Sequence, residues 1–163
     1  MTLISLIRFS LLLTLVLLAG CGSTPKKEAT IPLNTSSHPP LVKYALSLQG
    51  TPYRYGKDSP EEGFDCSGFV KHVYQQQGIR LPRTAKDMAT SLPPISKQKL
   101  QAGDLVFFDI NGKLFSHVGI YVDNDHFIHA PSQRTGHVIV SDLKNEYWQK
   151  HFTGARCPAP NHH

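Results

Sequence analysis

One cysteine in this sequence has the surroundings of a nucleophile. Cys66 follows Asp65 at the start of a segment whose apolar residues recur at helical spacing: Phe69, Val70, Val73 and Tyr74. Asp65 is placed to cap this helix. The unpaired N–H groups and the positive dipole end at a helix N-terminus stabilise negative charge and lower the pKa of a thiol. The pattern therefore predicts that Cys66 carries a thiolate nucleophile.

Histidine is the natural base for a cysteine nucleophile at neutral pH, and the chain contains nine. His72 lies six residues after Cys66, which on a helix directs it away from the thiol. Three others fall in segments predicted to be a tether or a tail: His38, His162 and His163. Five candidates remain in the part predicted to fold: His117, His126, His129, His137 and His151.

Two of these candidates, His117 and His129, lie on either side of a predicted hairpin turn at 123–125. If the loop has an odd number of residues, both fall on one face of the sheet, directly opposite or one diagonal apart. The other face is then the aliphatic core face: Val118, Ile120, Val122 and Ile128. The histidine face is expected to open on the cleft that holds Cys66, with one histidine as the base and the other orienting it.

Two alternatives use the same residues differently. In an oxidising compartment Cys66 and Cys157 could form a disulfide, although Cys157 lies in a Pro-flanked tail segment and is assigned no role. Cys66, His117 and His129 could instead hold zinc, but the Cys-x2-Cys or His-x3-His spacing typical of zinc sites is absent. We therefore predict a site without metal or cofactor.

The elements that must position these residues follow from the hydrophobic pattern. Short helices are predicted at 41–48, from Cys66 onward and at 84–91. The pattern then changes to strands at 105–110, 117–122, 126–130 and 138–141, and a closing helix is predicted at 146–152. Helices followed by antiparallel strands indicate an α+β domain.

Length and composition limit the class of protein. The 163 residues suffice for about one domain, and 40% hydrophobic with 18% charged residues excludes a disordered or multi-span membrane chain. The net charge of +5 suits an anionic envelope polymer, but it is too small and dispersed to indicate nucleic-acid binding.

The N-terminus has the pattern of a secretion signal. Residues 1–20 contain Arg8 and then an apolar run of about a dozen residues, which is short against the roughly 20 that a transmembrane helix needs. Leu-Ala-Gly before Cys21 resembles a bacterial lipobox, which implies a palmitate-bearing lipid anchor on Cys21. Gly22 in place of Asp implies the outer membrane, facing the periplasm. We predict a signal peptide at 1–20, a lipidated tether at 21–40, a catalytic domain at 41–157 and a tail at 158–163.

Several blocks, taken in order, resemble the NlpC/P60 family of cysteine peptidases. They are Thr51-Pro-Tyr-Arg-Tyr-Gly, Phe64-Asp-Cys-Ser-Gly-Phe-Val, Gly103-Asp-Leu-Val-Phe-Phe, Ser116-His-Val-Gly-Ile-Tyr-Val and Phe127-Ile-His-Ala. The resemblance implies a papain-like α+β fold in which the nucleophile helix packs on an antiparallel sheet. It assigns Cys66 as nucleophile, His117 as base and His129 as the orienting residue. It also matches Tyr53 to a tyrosine that helps hold the oxyanion, whereas Lys57 departs from the family's usual glycine.

The resemblance implies a lipoprotein endopeptidase that cuts stem or crosslink peptides of peptidoglycan by acyl transfer through Cys66. Asp65 and Ser67 are expected to line the cleft, and Asp65 either binds a substrate amine or only caps its helix. The expected partners are peptidoglycan peptides and a membrane reached through the anchor, with no nucleic acid and no prediction of oligomeric state. Three alternatives stay open: an amidase, another papain-like acyl-transfer enzyme, and a non-catalytic wall-binding lipoprotein.

Overall fold

The computed structural model of the protein describes residues 37–110 and 112–158. The predicted signal peptide, the lipidation site at Cys21 and most of the predicted tether lie outside these residues. Within them, no helix has the length and apolar character needed to cross a bilayer.

The predicted α+β class is confirmed. Four α-helices lie in the described ranges: α1 at Pro40–Ser47, α2 at Cys66–Gln75, α3 at Ala85–Ser91 and α4 at Glu146–His151. A 3-10 helix lies at Lys97–Lys99. A short ribbon pairs β1 at Asp58–Ser59 with β2 at Gly63–Phe64. The main sheet contains β3 at Pro94–Ile95, β4 at Leu105–Ile110, β5 at Lys113–Asp123, β6 at His126–His129, β7 at Ile139–Asp142 and β8 at Phe152–Arg156. Its order is β3-β8-β4-β5-β6-β7 and every pair is antiparallel.

Helix α2 begins where the sequence predicts, at Cys66. Asp65 has an extended backbone, and its carboxylate accepts the N–H of Gly68 at 2.7 Å, which is the N-cap interaction expected of it. The rings of Phe64 and Phe69 pack edge to face, with their centroids 5.6 Å apart and their planes at 75°. This contact packs the residue before the cap against the first turn of α2. Cys66 is therefore the first residue of a firmly capped helix.

The hairpin that carries the two histidines differs in detail from the predicted one. Only Asn124 and Asp125 form the turn, both with positive φ, as in the two-residue turns that suit the twist of a hairpin. A bulge between Tyr121 and Asp123 shifts the register by one residue. The short turn and the bulge together give the parity that an odd loop would give, so His117 and His129 lie on one face, one diagonal apart.

Both faces of the sheet are covered. On the aliphatic face six side chains are fully buried, and helices α2 and α3 contact β5: Leu105, Phe107, Val118, Ile120, Val122 and Ile128. On the histidine face Val106, Phe108, Phe127 and Leu143 form a second core against Trp148 of α4. The prediction that the histidine face opens on the cleft is therefore wrong for His129, which is 0% exposed.

Strand β8 was not predicted, and it changes the place of Cys157. The strand lies between β3 and β4, and the residue after it, Cys157, is buried with its N–H donating to the carbonyl of Pro93. The interpretation of Cys157 as part of a Pro-flanked tail is thus wrong. The short Phe-Thr-Gly-Ala-Arg segment has no alternating pattern, and only its pairing with distant strands defines it as a strand.

The chain before α1 also contacts the domain. His38, in the segment predicted to be a tether, is 6% exposed, and its Nε2 lies 3.5 Å from a carboxylate oxygen of Asp123. The folded part therefore includes at least this residue ahead of Pro40.

Candidate active site

Cys66 and His117 line one open cleft of about 620 Å³ beside the start of α2. Cys66 is partly exposed there, and the backbone N–H groups of Val118 and Ser67 donate toward its sulfur. The walls also include side chains from the loop before β1, the start of α3 and the β4–β5 hairpin: Tyr53, Tyr55, Arg83, Lys86, Lys113 and Phe115. The structure thus brings the predicted nucleophile and a predicted base to one surface.

The two histidines are in direct contact. His117 Nε2 lies 2.6 Å from His129 Nδ1, and the rings are nearly perpendicular. His117 is 5% exposed at the floor of the cleft, whereas His129 lies beneath it, packed against Phe127 and Trp148. Because Nε2 of His117 is engaged, only its Nδ1 remains for an interaction with the thiol.

The charge state of the site differs from the predicted one. Burial, and then the negative charge of Asp65, raise the pKa of the Cys66 thiol to about 11, although the N–H groups of Val118 and Ser67 oppose this rise. Burial lowers the pKa of His117 to about 4 and that of His129 well below its usual range. The prediction of a lowered thiol pKa is therefore wrong, because removal from water outweighs the helix N-terminus. The resting site is a neutral thiol beside neutral imidazoles.

Arg83 is a residue of this site that the sequence analysis missed. Its guanidinium holds both oxygens of Asp65, with Nη1 at 3.0 Å and Nη2 at 2.7 Å, and Nη1 also donates to Ser67 Oγ at 3.0 Å. Its place after Leu-Pro marked only a turn in the sequence. The fold places this turn beside the start of α2, so that Arg83 contacts Asp65, 18 residues away in the chain. The two Nη atoms of the planar guanidinium match the two oxygens of the carboxylate.

Asp65 has no capacity left for a substrate amine. Its two oxygens accept from the backbone N–H groups of Gly56 and Gly68, from Ser67 Oγ and from both Arg83 nitrogens. Five donors exceed the roughly four lone-pair positions of a carboxylate. Of the two expected roles of Asp65, the structure supports the helix cap. Ser67 is 6% exposed and bridges Asp65 and Arg83 at the cleft wall.

Tyr53 lies in the cleft wall, as expected. Burial and then the nearby Cys66 and Asp65 raise the pKa of its hydroxyl, so it stays protonated and can donate a hydrogen bond. Its backbone is held by a bond from its N–H to the carbonyl of Gly136 and by a bridge to Phe64. Tyr55 stands beside it at the rim, 88% exposed.

The geometry does not favour either alternative use of these residues. Neither cysteine within residues 37–158 takes part in a disulfide: Cys66 is in the cleft, and Cys157 is buried after β8. In the same part of the chain no three His, Cys, Asp or Glu side chains are grouped to hold a metal ion. His117 and His129 instead direct two of their four ring nitrogens at each other.

A helix-borne thiol beside a strand-borne pair of imidazoles in an α+β domain defines a papain-like class of site. The NlpC/P60 family model matches residues 50–157, and the chain belongs to this family. It is 42% identical to the probable endopeptidase NlpC of Escherichia coli K12, over 91% of this chain and 98% of that protein. It is 47% identical to the murein DD-endopeptidase MepH of the same strain, over 66% of this chain but only 41% of that protein.

A solved structure of an NLP/P60 family protein from Staphylococcus aureus Mu50, described as similar to lipoprotein, has the same fold. The TM-score is 0.64 at 37% identity, over 82% of this chain and 44% of that one. The chain therefore spans less than half the length of some relatives and nearly all of another.

Proposed function

We propose that this protein is a peptidoglycan endopeptidase that hydrolyses amide bonds of stem or crosslink peptides through Cys66, His117 and His129. The observation that carries this proposal is the shared cleft of Cys66 and His117, with His117 Nε2 fixed on His129 at 2.6 Å. A nucleophile, a base and a third group that orients the base are the parts of a covalent hydrolase.

The neutral resting state determines the first step. As the sulfur of Cys66 attacks the peptide carbonyl carbon, its proton passes to Nδ1 of His117, and the carbonyl oxygen becomes an oxyanion. His129 accepts the Nε2–H of His117 and so stabilises the imidazolium that forms. The protonated Tyr53 hydroxyl is in the cleft wall to donate to the oxyanion, together with backbone N–H groups at the start of α2.

The remaining steps return the site to its starting state. His117 gives its proton to the leaving amine as the carbon–nitrogen bond breaks, which leaves a thioester on Cys66. Water then gives a proton to His117 and attacks the thioester carbonyl, and the acid product leaves as the proton returns to sulfur. Every proton is carried by residues of this chain, so the proposed reaction requires no metal or organic cofactor.

Peptide cleavage is tested with the full chain, purified peptidoglycan and isolated crosslinked muropeptides, followed by mass spectrometry of the products. New amino and carboxyl ends within the peptides, with intact glycan strands, are expected. Cys66→Ala should abolish turnover, and His129→Ala should leave weak activity because His117 remains as a poorly held base. Cys157→Ala is the matched control, and its activity per folded molecule should equal that of wild type.

The same products separate the alternative functions. An amidase would release whole stem peptides from the glycan. An acyl-transfer enzyme would join the acyl part of the substrate to a second amine instead of to water. A wall-binding protein would sediment with peptidoglycan and leave it unchanged. Full activity of Cys66→Ala would exclude the proposed mechanism.

We also propose that the mature chain begins at a lipidated Cys21 and works at the outer membrane, facing the periplasm. The apolar run ahead of Leu-Ala-Gly-Cys supports this proposal, as does Gly22. Metabolic labelling with palmitate and membrane fractionation test it, with Cys21→Ala expected to lose the label. An unlabelled, soluble wild-type protein that retains residues 1–20 would contradict it.

A further inference from the structure

A third hydrogen-bonding group continues the histidine pair. His129 Nε2 lies 2.9 Å from the hydroxyl oxygen of Ser141, so both ring nitrogens of this fully buried histidine have a partner. Ser141 belongs to the edge strand β7, and the register pairs it with Phe127, two residues before His129. Two backbone ladders therefore hold Ser141, His129 and His117 in a row on one face of the sheet.

The three groups can carry their protons in two ways only. Burial lowers the pKa of both histidines, so each ring is neutral and has one N–H and one lone pair. In one arrangement His117 Nε2–H donates to His129 Nδ1, and His129 Nε2–H donates to Ser141. In the other, Ser141 donates to His129 Nε2, and His129 Nδ1–H donates to His117 Nε2. The first leaves a lone pair on His117 Nδ1, whereas the second places a proton there.

Only the first arrangement lets His117 accept a proton from Cys66. It requires an acceptor for the Nε2–H of His129, because a buried donor without a partner is strongly disfavoured. The aromatic side chains packed against this ring, Phe127 and Trp148, have no lone-pair acceptor. The hydroxyl oxygen of Ser141 is the acceptor that the structure provides.

We propose that Ser141 is a positioning residue whose hydroxyl oxygen accepts the Nε2–H of His129 and so stabilises the arrangement in which His117 Nδ1 is free to act as the base. The proposal rests on the hydrolytic function proposed above. Ser141 does not line the cleft and touches no reacting atom, so it acts through His129 alone. Its loss should change the rate of the chemical step and leave substrate binding unchanged.

The decisive experiment measures ring protonation and turnover separately in the full chain. Long-range 15N–1H correlation spectra of the wild-type protein should show His129 and His117 each protonated on Nε2 near neutral pH. In Ser141→Ala both rings should shift toward the Nδ1–H form, with kcat lower by about tenfold because less His117 is in the form that can act as the base, and with KM unchanged. Ser141→Thr keeps the hydroxyl on a strand and should restore both the spectrum and kcat.

Controls keep the result specific. Thr153→Ala removes a hydroxyl from β8 of the same sheet, which β4 separates from the histidine strands β5 and β6, and should change neither the spectrum nor kcat. A wild-type His129 protonated on Nδ1, or a Ser141→Ala variant with unchanged ring protonation and kcat, would overturn the proposal. If Ser141→Ala does not fold, the wild-type spectrum and Ser141→Thr still decide. Because the spectra need no substrate, failure of the peptidase proposal is distinguishable from failure of this one.

Discussion

At the scale of single residues, the site is a neutral pair and not a resting ion pair. Burial and Asp65 disfavour the Cys66 thiolate, and burial disfavours the charged form of His117. The thiol becomes reactive only as its proton moves to the imidazole during attack. The sulfur of Cys66 therefore stays protonated and weakly nucleophilic until a substrate carbonyl is bound beside it.

This charge state predicts an unusual pH profile. His117 is charged only below its pKa of about 4, so kcat/KM should persist as pH falls through 6.5 and be lost toward 4. The thiolate absorbance of wild type minus Cys66→Ala should be absent at pH 7–8 and appear near the thiol pKa of about 11. An acid limb near pH 6.5 together with thiolate at neutral pH would establish an ion pair instead.

Arg83 makes the second residue-scale prediction. Its two-pronged contact neutralises the buried carboxylate of Asp65, and lysine cannot reproduce this geometry. Arg83→Lys should lower the free energy of unfolding, measured by urea denaturation, by about 1.5–3 kcal/mol, since a hydrogen bond to a charged group contributes about that much. Arg80→Lys, on an exposed arginine nearby in the chain, is the control and should change stability by less than about 0.5 kcal/mol. Equal effects of the two substitutions would exclude the clamp.

At the scale of elements, the β5–β6 pair decides where His129 lies. Gly119 is on the histidine face of β5, and a Cβ built there would lie 2.7 Å from the ring of Phe127 and 3.1 Å from Cβ of His129. The missing side chain leaves the space in which the β6 side chains reach His117. This glycine is needed for close approach of two strands and not for its backbone conformation.

Gly119→Ala should therefore impair both stability and chemistry. We expect a loss of about 1–3 kcal/mol from overpacking, and a fall in kcat because His129 must move away from His117. Urea denaturation and steady-state kinetics measure the two effects. Gly78→Ala is the control that separates lost stability from lost activity. Gly78 has φ of +76° and no atom within 4 Å of an added Cβ, so this substitution should lower stability by about 1–2 kcal/mol through backbone strain and leave kcat unchanged. A Gly119→Ala enzyme with normal kcat would show that the His129 position tolerates the shift.

At the scale of the whole molecule, two cores enclose the sheet and bury both histidines in the neutral form. The unfolded chain takes up protons on these rings near pH 6.5, whereas the folded chain does so only at lower pH, about 4 for His117. Between these values the unfolded state binds more protons. The stability that is fully present above pH 6.5 is therefore lost as pH falls toward 4.

Denaturation at pH 7, 6 and 5 measures this loss. The urea midpoint of the wild-type protein should fall steadily over the range, and His129→Asn, which removes one titrating ring, should show a smaller fall from its own value at pH 7. Equal slopes for the two proteins would indicate that His129 is already protonated in the folded state, which contradicts its burial between Phe127 and Trp148.

The sequence by itself determined the parts of the protein that depend on local pattern. Asp65 before an apolar period of 3.6 marked the start of α2 at Cys66. Alternation or continuous apolar runs marked β4 to β7, with each end at most four residues from its observed position. The spacing of His117 and His129 placed them on one face for a loop with an odd number of residues. The observed two-residue turn meets this condition only because the bulge between Tyr121 and Asp123 shifts the register by one residue. Four of the five family blocks lie on these same elements, and the block from Thr51 to Gly56 lies in the loop before β1.

Only the tertiary structure decided features that arise between distant segments. Strand β8, the Trp148 cover and the Arg83 clamp each join residues far apart in the chain, and no local pattern records such pairs. The pKa values of Cys66 and His117 also depend on the surrounding atoms, because the cost of removing a charge from water scales with burial and not with neighbours in sequence. For the same reason Ser141 became visible only when two strand ladders placed its hydroxyl beside His129.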